Sequence, residues 1–229
     1  MNFSRSANCI PILIAILFPI SFASAQEAKK TNSDNAVAIK DGDKKAKWKT
    51  LLEPDSLKGW EITNFGGEGT VDRSEGVLKL GIGDPLTGIT LKSKDFPKEN
   101  YELQWKANRV EGSDFLAGVT FPVGNEHCSF IAGGWGGGLV GLSSINGNDA
   151  SENETASFHN FKNKQWYSFR VRVDKTHITA WIDDKEVAHV EREPGKFSLR
   201  AEVLKSRPLG YCAFQSVVEV KDWEYRVLE

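Results

Sequence analysis

A short stretch of the sequence, from Gly124 to Thr155, combines residues suited to acid–base chemistry with a residue suited to holding a ring. It opens with Glu126 and His127, an acid beside an imidazole, and continues into a tract in which Trp135 has glycines on both sides. Dense glycine weakens a strand, so the tract indicates that something approaches the backbone closely. A Trp among small residues offers a flat apolar face. We therefore expect the site here, with Trp135 as a platform for a sugar; the alternative for Trp135 is a place in the core.

The acid and the imidazole are direct neighbours, and this limits how they can act together. Neighbouring residues of a strand point to opposite faces, so Glu126 and His127 line one pocket only if a bulge intervenes. For the pair, the favoured alternative is that one residue is buried and the other lies on the surface. For Glu126 taken alone, a functional role and a structural role stay equally open. Farther along, a polar segment follows the glycine tract, where a sandwich commonly places a binding rim: Asp149, Ser151, Glu152, Asn153 and Glu154. In a sugar-binding role, Asn153 and Glu154 would bond the sugar hydroxyls together with Ser143. The alternative for that segment is a solvated loop.

Other kinds of site are excluded by spacing and context. The segment from Gly136 to Gly141 matches G-x-G-x-x-G, but its flanks are strand-like, and the dinucleotide fingerprint needs a following helix. We expect a bulged or tightly curved strand there instead. The histidines lack the spacing of converging zinc ligands, and no G-x-S-x-G pattern supports an acyl-enzyme. We expect no metal and no cofactor.

The N-terminal segment predicts export. Residues 1–25 contain a basic start at Arg5, an apolar run from Ile10 to Phe22 and a small-x-small sequence before Gln26, which together are typical of a cleaved signal peptide. Residues 26–47 are polar and charged, with almost no large apolar side chain, and predict a flexible linker. We expect a periplasmic or extracellular protein without a membrane span.

Charge and cysteine content narrow the partners further. The formal net charge is −2 at pH 7, which argues against a nucleic-acid partner, because such a partner needs a basic face. A neutral carbohydrate ligand is compatible with this balance. Beyond the signal segment, Cys128 and Cys212 form an even pair in an oxidising compartment. A disulfide and two buried free thiols stay equally open.

Residues 48–229 form one block whose hydrophobic period is two. Apolar and polar residues alternate through 101–107 and 166–173, as in half-buried antiparallel strands. No helix longer than two turns and no internal repeat is evident. Many short strands with regular turns predict one all-β domain, a sandwich of two antiparallel sheets. Six further segments are predicted to be strands: Val77–Ile82, Gly88–Lys92, Phe115–Phe121, Thr176–Ile182, Lys185–Val190 and Val218–Leu228.

Several phrases, in order along this block, resemble the 3-keto-disaccharide hydrolase domain family. They are Leu51-Leu-Glu-Pro-Asp-Ser-Leu-Lys-Gly-Trp60, Glu75-Gly-Val-Leu78, Tyr101-Glu-Leu-Gln-Trp-Lys106 and Pro208-Leu-Gly210. The resemblance covers nearly all of residues 48–229. It implies a concanavalin A-like jelly-roll sandwich of two antiparallel sheets.

The resemblance also implies a chemistry, the cleavage of 3-keto-glycosides. A ketone at C3 acidifies the proton at C2, so a general base can remove it, the C1 substituent leaves, and water adds back. Glu126 would be the base, because it matches the acid of the family's G-x-E-x-Q. His127 or Asp114 would assist, and backbone amides of the glycine tract around Gly137 would hold the oxyanion. A separate sugar 3-oxidoreductase would supply the keto sugar.

The chain departs from the family's motifs at the positions that are expected to carry the function. Two family glutamines are replaced by Cys128 and Cys212, so the resemblance implies a rebuilt pocket and, if their strands are neighbours, a disulfide across the concave face. Two alternatives to the enzyme therefore remain. One is a non-catalytic carbohydrate-binding sandwich, with Trp135 stacked on the sugar. The other is a structural or protein-binding domain, which predicts a buried glycine tract and a Glu126 that faces no cleft.

Overall fold

The computed structural model describes residues 46–229. The expected signal peptide and nearly all of the expected linker lie outside the described residues. Within residues 46–229, no helix is long and apolar enough to cross a membrane.

The regular secondary structure of this part of the chain consists almost entirely of strands. In chain order they are β1 (Lys49–Thr50), β2 (Trp60–Ile62), β3 (Val71–Ser74), β4 (Val77–Leu80), β5 (Leu86–Leu91), β6 (Tyr101–Gly112), β7 (Ala117–Val123), β8 (Glu126–Gly133), β9 (Leu139–Ser143), β10 (Ser157–Phe158), β11 (Trp166–Val173), β12 (His177–Ile182), β13 (Lys185–Glu191), β14 (Gly210–Phe214) and β15 (Ser216–Val227). Every strand segment predicted from the period of two corresponds to one of these strands. A single helical turn (Gly134–Gly137) and a 3-10 helix (Ala201–Ser206) complete the set.

The strands form two antiparallel sheets, as the alternation predicted. The eight-stranded sheet has the order β13-β12-β11-β6-β15-β4-β3, with β1 paired to β15. The seven-stranded sheet has the order β10-β9-β8-β7-β14-β5-β2. Because side chains alternate across each strand, every sheet has an inner face toward the other sheet and an outer face.

The core lies between the two inner faces. Trp105 of β6 stacks on Phe169 of β11, with ring centroids 5.4 Å apart, and Phe130 of the facing sheet packs edge-on against Trp105 at 6.0 Å. All three side chains are buried. Full burial of a large apolar side chain stabilises the fold by about 1.5–3 kcal/mol, so this aromatic cluster holds the two sheets in a fixed relation.

The outer face of the seven-stranded sheet is partly covered by loops, and glycines permit the close approach. A Cβ added at Gly118 of β7 would lie 3.0 Å from Cε2 of Phe115, and one at Gly210 of β14 would lie 2.7 Å from Cβ of Ser206. Both distances are shorter than side chains tolerate without movement. Phe115 and the 3-10 helix therefore rest directly on the sheet, and the uncovered part of this face is left as a depression between them.

The glycine tract is not the curved strand that the sequence predicted. Strand β8 ends at Gly133, and residues 134–137 make one turn before β9 begins. Trp135 and Gly136 have φ values of +49° and +87°, a region in which glycine is unstrained and other residues are rare. A Trp held in this conformation is one of the sparsely populated geometries that cluster at functional sites.

Cys128 and Cys212 are both buried and free, so the disulfide implied by the resemblance is wrong. Strand β7 separates β8 from β14 in the sheet. Cys128 packs in the core between the sheets, whereas Cys212 packs with Leu86 and Val203 on the outer face. The two thiols thus lie on opposite sides of the sheet. Burial raises the pKa of each thiol to about 12, which leaves both as unreactive thiols.

Candidate functional site

The depression on the outer face of the seven-stranded sheet is a cleft of about 320 Å³, named here the Trp135 cleft. Its floor consists of outward side chains of β8, β9 and β14, and its walls come from the loops that rest on the sheet. A volume of this order is typical of small-ligand sites. The lining residues are Pro85, Leu86, Asp114, Phe115, Ser129, Ile131, Trp135, Ser143, Arg200, Glu202, Val203 and Phe214.

Aromatic rings supply much of the apolar surface of the Trp135 cleft. Phe115 and Phe214 are stacked, with ring centroids 5.4 Å apart and planes inclined by 17°. The Trp135 side chain is 49% exposed, one of the most exposed large apolar side chains among the described residues. An exposed indole beside these two partly buried rings gives the cleft a flat apolar surface that a ring-shaped ligand can cover.

Asp114 fixes the turn that carries Trp135. Its Oδ2 accepts a hydrogen bond from the backbone N of Gly136 at 3.0 Å, and its Oδ1 accepts one from the N of Phe115 at 2.8 Å. The buried guanidinium of Arg109 donates to the Asp114 carbonyl at 2.8 Å and to that of Phe161 at 3.0 Å. The Asp114 carboxylate is therefore used to position the platform.

A chain of polar side chains runs along the opposite wall. The Ser143 hydroxyl donates to Oδ1 of Asp149 at 2.7 Å, and Nη1 of Arg200 binds Oδ2 of the same carboxylate. Nη2 of Arg200 also donates to Oε1 of Glu202 at 2.8 Å. This hydrogen bond holds the pKa of Glu202 below its usual range. Glu202 is therefore ionised at neutral pH, a strong acceptor for hydroxyl groups but a weak base.

The sequence of residues 47–228 matches the family described as the 3-keto-alpha-glucoside-1,2-lyase-like domain. The chain belongs to this family. The resemblance found in its motifs is thus confirmed over almost the whole described region. No curated protein sequence matches the chain significantly.

Solved structures share the fold at low sequence identity. A candidate glycosyl hydrolase from Parabacteroides distasonis has a TM-score of 0.51 at 13% identity, covering 84% of this chain and 99% of that one. The Crh5 transglycosylase has a TM-score of 0.52 at 12% identity, with coverages of 80% and 84%. A β-1,3-1,4-glucanase from a mouse hindgut metagenome has a TM-score of 0.50 at 10% identity, with coverages of 80% and 99%. The predicted jelly-roll sandwich is confirmed.

Glu126, the acid that matches the family motif, lies away from the Trp135 cleft. It belongs to the same side of β8 as the core residues Cys128 and Phe130, whereas the cleft residues Ser129 and Ile131 lie on the other side. Glu126 is the first residue of β8, and its Oε2 accepts a hydrogen bond from the backbone N of Phe197 at 2.8 Å. The structure therefore does not bring the expected base to the cleft.

His127 lies on the outer face, on the same side of β8 as Ser129, but it does not line the cleft. Partial burial lowers the pKa of its imidazole, and the positive charges of Arg207 and Lys98 lower it further. The ring is therefore neutral at neutral pH. Glu126 and His127 point to opposite sides of the sheet, as their adjacency in a strand predicted, so they do not act as a pair.

Asn153 and Glu154 do not reach the cleft either. The Asn153 amide donates to the carbonyls of Leu142 and Asp149, each at 2.8 Å, and its Oδ1 accepts from the Thr155 hydroxyl at 2.6 Å. These bonds make it a brace within its own loop. Glu154 is exposed next to it. Of the predicted sugar-binding residues, Trp135 and Ser143 line the Trp135 cleft together with Asp114.

Gly137 lies on the far side of the turn, in a second and more open cleft of about 720 Å³. An added Cβ there would be 2.5 Å from the Ser113 carbonyl oxygen, so glycine is required for this close contact. Within the described residues, no group of three or more His, Cys, Asp or Glu side chains is placed to hold a metal ion.

Sequence reasoning missed several residues of the Trp135 cleft. Arg200 and Glu202 come from the 3-10 segment, which carries no recognisable motif, and Phe115 and Phe214 are ordinary members of strand-like patterns. The polar segment after the glycine tract predicts a rim, but the sequence does not show that Asp149 is the carboxylate bound by Ser143 and Arg200. The signal that could have been followed is the pair of strand glycines beneath Phe115 and the 3-10 helix.

Proposed function

We propose that the protein is an exported carbohydrate-recognition domain that holds a sugar ring against Trp135 in the Trp135 cleft. The observation that carries this proposal is a half-exposed indole, fixed by a strained turn, in a cleft with both apolar walls and hydrogen-bonding side chains. A sugar has the matching character, because its C–H face packs on an aromatic ring while its hydroxyls need partners. The export-type sequence of residues 1–25 supports an extracytoplasmic location.

Ser143 and Glu202 are the groups we expect to meet the sugar hydroxyls. Ser143 already donates its proton to Asp149, so its oxygen is left as an acceptor, and Glu202 is an ionised acceptor at the rim. Arg200 is the one cation among the residues that line the cleft, beside the carboxylates Asp114 and Glu202 and in contact with Asp149. This charge balance disfavours acidic sugars, so the preferred ligand is neutral.

Cleavage of 3-keto-glycosides in the same cleft is the second candidate, and family membership is the observation that favours it. The reaction would begin with removal of the proton at C2, made acidic by the C3 ketone, and continue with loss of the C1 substituent and addition of water. A sugar 3-oxidoreductase would have to supply the ketone. The base would have to come from the cleft carboxylates, because Glu126 is bound to the Phe197 amide outside it.

Binding is ranked above cleavage because the cleft carboxylates are occupied. Asp114 accepts two backbone N–H groups, Asp149 accepts from Ser143 and Arg200, and Glu202 accepts from Arg200. Hydrogen bonds to the charged form of a carboxylate weaken it as a base. The purely structural alternative fits the placement of Glu126 but not the turn, in which Trp135 and Gly136 are exposed.

The test combines calorimetry and turnover on one panel. Purified protein is titrated with neutral mono- and disaccharides, the corresponding uronic acids and the 3-keto derivatives, and released sugar is followed by chromatography. We expect neutral sugars to bind, Trp135→Ala to weaken binding at least about tenfold, or about 1.4 kcal/mol, and Trp135→Phe to retain most of it.

Two further variants separate binding from cleavage. Cleavage of the keto sugars would favour the second candidate function over binding alone. In that case Glu202→Gln should lower the rate of cleavage, and Glu126→Gln should leave that rate almost unchanged. Loss of turnover in Glu126→Gln alone would contradict the placement of the chemistry in the Trp135 cleft. Absence of binding to every sugar, or unchanged binding in Trp135→Ala, would refute the proposed recognition.

A further inference from the structure

We infer that the ligand is an oligosaccharide whose next units lie across the glycine turn, in a second subsite beside Phe158. This inference rests on the proposed function and adds to it the length of the ligand. The Phe158 subsite is the cleft of about 720 Å³ lined by Arg109, Gly112, Ser113, Gly136, Gly137, Gly138, Phe158, His159, Asn160, Phe161 and Asn163.

Phe158 is the most exposed large apolar side chain among the described residues, with 83% of its surface accessible. It ends the two-residue strand β10, which is the edge of the seven-stranded sheet and pairs with Leu139 of β9. The Phe158 ring does not pack in the core, so packing does not explain an aromatic residue at this position. An exposed ring at the edge of a cleft that also has polar groups is placed to stack on a flat ligand.

The surroundings of Phe158 are rigid, as a binding surface requires. The backbone N of His159 donates to the Gly138 carbonyl at 2.9 Å, which ties this segment to the glycine turn. The His159 ring lies 4.4 Å from that of Phe161 and 5.4 Å from that of Tyr167, centroid to centroid. A surface held in place before binding loses less conformational entropy when a ligand is bound.

The subsite offers hydrogen-bonding groups that suit hydroxyls. Asn160 and Asn163 are exposed at its rim, and Asn163 is oriented by the Nε of Arg109, which donates to its Oδ1 at 2.6 Å. Arg109 uses its other nitrogens on the carbonyls of Asp114 and Phe161. With the guanidinium occupied in this way, the rim presents amides rather than a free charge, which again favours a neutral sugar.

The two clefts are close enough for one oligosaccharide because a single turn separates them. Trp135 faces the first cleft and Gly138 lines the second. The three intervening peptide steps place their Cα atoms at most about 11 Å apart. Gly136 is exposed, and a Cβ added there would have no atom within 4 Å, so the surface of the turn beside Gly136 is open to a ligand. A ligand stacked on Trp135 can therefore continue over the glycines toward Phe158.

The experiment measures affinity as a function of ligand length. Calorimetry is carried out with neutral gluco-oligosaccharides of one to five units, in α- and β-linked series, on wild type, Phe158→Ala, Phe158→Tyr and Trp135→Ala. We expect wild-type affinity to rise at least about tenfold with added units. Phe158→Ala should remove that rise without changing the affinity for the single sugar, Phe158→Tyr should keep it, and Trp135→Ala should weaken all lengths.

Each contrary result has a separate meaning. Binding of a single sugar with no gain from added units, or a gain that survives in Phe158→Ala, would overturn the second subsite and leave the proposed function standing. No binding at any length would overturn both. Val227→Ala, at an exposed apolar position on the other sheet, serves as the matched control, and an equal loss in that variant would show that the Phe158 effect is not local.

Discussion

The outer faces of the two sheets are built in opposite ways. On the eight-stranded sheet, Glu102 is fully buried beneath side chains of its own sheet, with Arg172 at 2.7 Å and Arg226 at 2.6 Å. On the seven-stranded sheet, loops rest on strand glycines and leave the Trp135 cleft open between them. The first face, named here the closed face, pairs its buried carboxylate with arginines of the same sheet. The second, named here the open face, keeps polar and aromatic groups facing a cleft.

The tryptophans show the same contrast. On the eight-stranded sheet, Arg170 lies 4.1 Å from the ring centroid of Trp181 and Lys221 lies 4.2 Å from that of Trp166. Such cation–π contacts cover the ring face that a ligand would use. Among the described residues, Trp135 has no cation over its ring and is 49% exposed. A sandwich of this kind can therefore carry several outward tryptophans, of which only the uncovered one is available for stacking.

The largest expected effect comes from breaking the closed face. Glu102→Gln would leave the guanidinium groups of Arg170, Arg172 and Arg226 together without their shared carboxylate. Removing one partner of a buried ion pair typically costs about 3–5 kcal/mol, because the remaining charge is uncompensated. We expect the free energy of unfolding, measured by urea denaturation, to fall by about that amount.

The same variant should leave ligand affinity unchanged, because Glu102 lies on the opposite sheet from the Trp135 cleft. Glu224→Gln is the matched control, since Glu224 is only partly buried and accepts one hydrogen bond, from Nε2 of Gln104 at 2.7 Å. A loss below about 1 kcal/mol is expected there. Equal losses in the two variants would show that the closed face does not depend on the buried carboxylate.

The sequence predicted the strands and the two-sheet architecture better than it predicted the residues of the Trp135 cleft. In β6 and β11, apolar residues alternate with polar ones because one side of each strand is buried in the core. This pattern is local in the sequence, and it predicted both strands correctly. The residues adjacent to each cysteine in the sequence could not show that Cys128 and Cys212 lie on opposite sides of one sheet. Nor could they show that Glu126 is used by the Phe197 amide. Both facts depend on strand order and on loops that return from distant parts of the chain.

A smaller effect distinguishes a structural residue from its solvent-exposed neighbour on the open face. The Asn153 side chain bonds Leu142, Asp149 and Thr155, so Asn153→Ala should lower the free energy of unfolding by about 1–3 kcal/mol through the partners left unpaired. Glu154→Ala removes an exposed side chain and should stay within about 0.5 kcal/mol. Denaturation curves of the two variants, one residue apart, provide the comparison.

These two positions were both expected to bind sugar from their place after the glycine tract, so affinity is the second measurement. Glu154→Ala should bind neutral sugars as wild type does, because its side chain does not line the Trp135 cleft. A clear loss of affinity in that variant, with stability unchanged, would show that Glu154 contacts the sugar and that the binding site extends beyond the residues that line the Trp135 cleft.

The smallest effect is a pH dependence carried by His127 at the end of the open face. Its pKa in the folded protein is lowered by burial and by Arg207 and Lys98, whereas an unfolded chain has its usual value of about 6.5. As the pH falls below that value, the unfolded chain binds the proton first, so the free energy of unfolding decreases. The decrease stops once the pH is also below the folded pKa, and the lost stability is not regained.

His127→Gln has no such proton to bind, and the difference between it and wild type isolates the effect from the other histidines. We expect wild type to lose more unfolding free energy than His127→Gln between pH 8 and pH 5, with the two curves parallel above pH 7. Arg207→Gln removes one of the two cations that lower the pKa, so it should shrink the difference without abolishing it. Parallel curves over the whole range would mean that the imidazole is as well solvated in the folded protein as in the unfolded chain, and that the open face extends past His127.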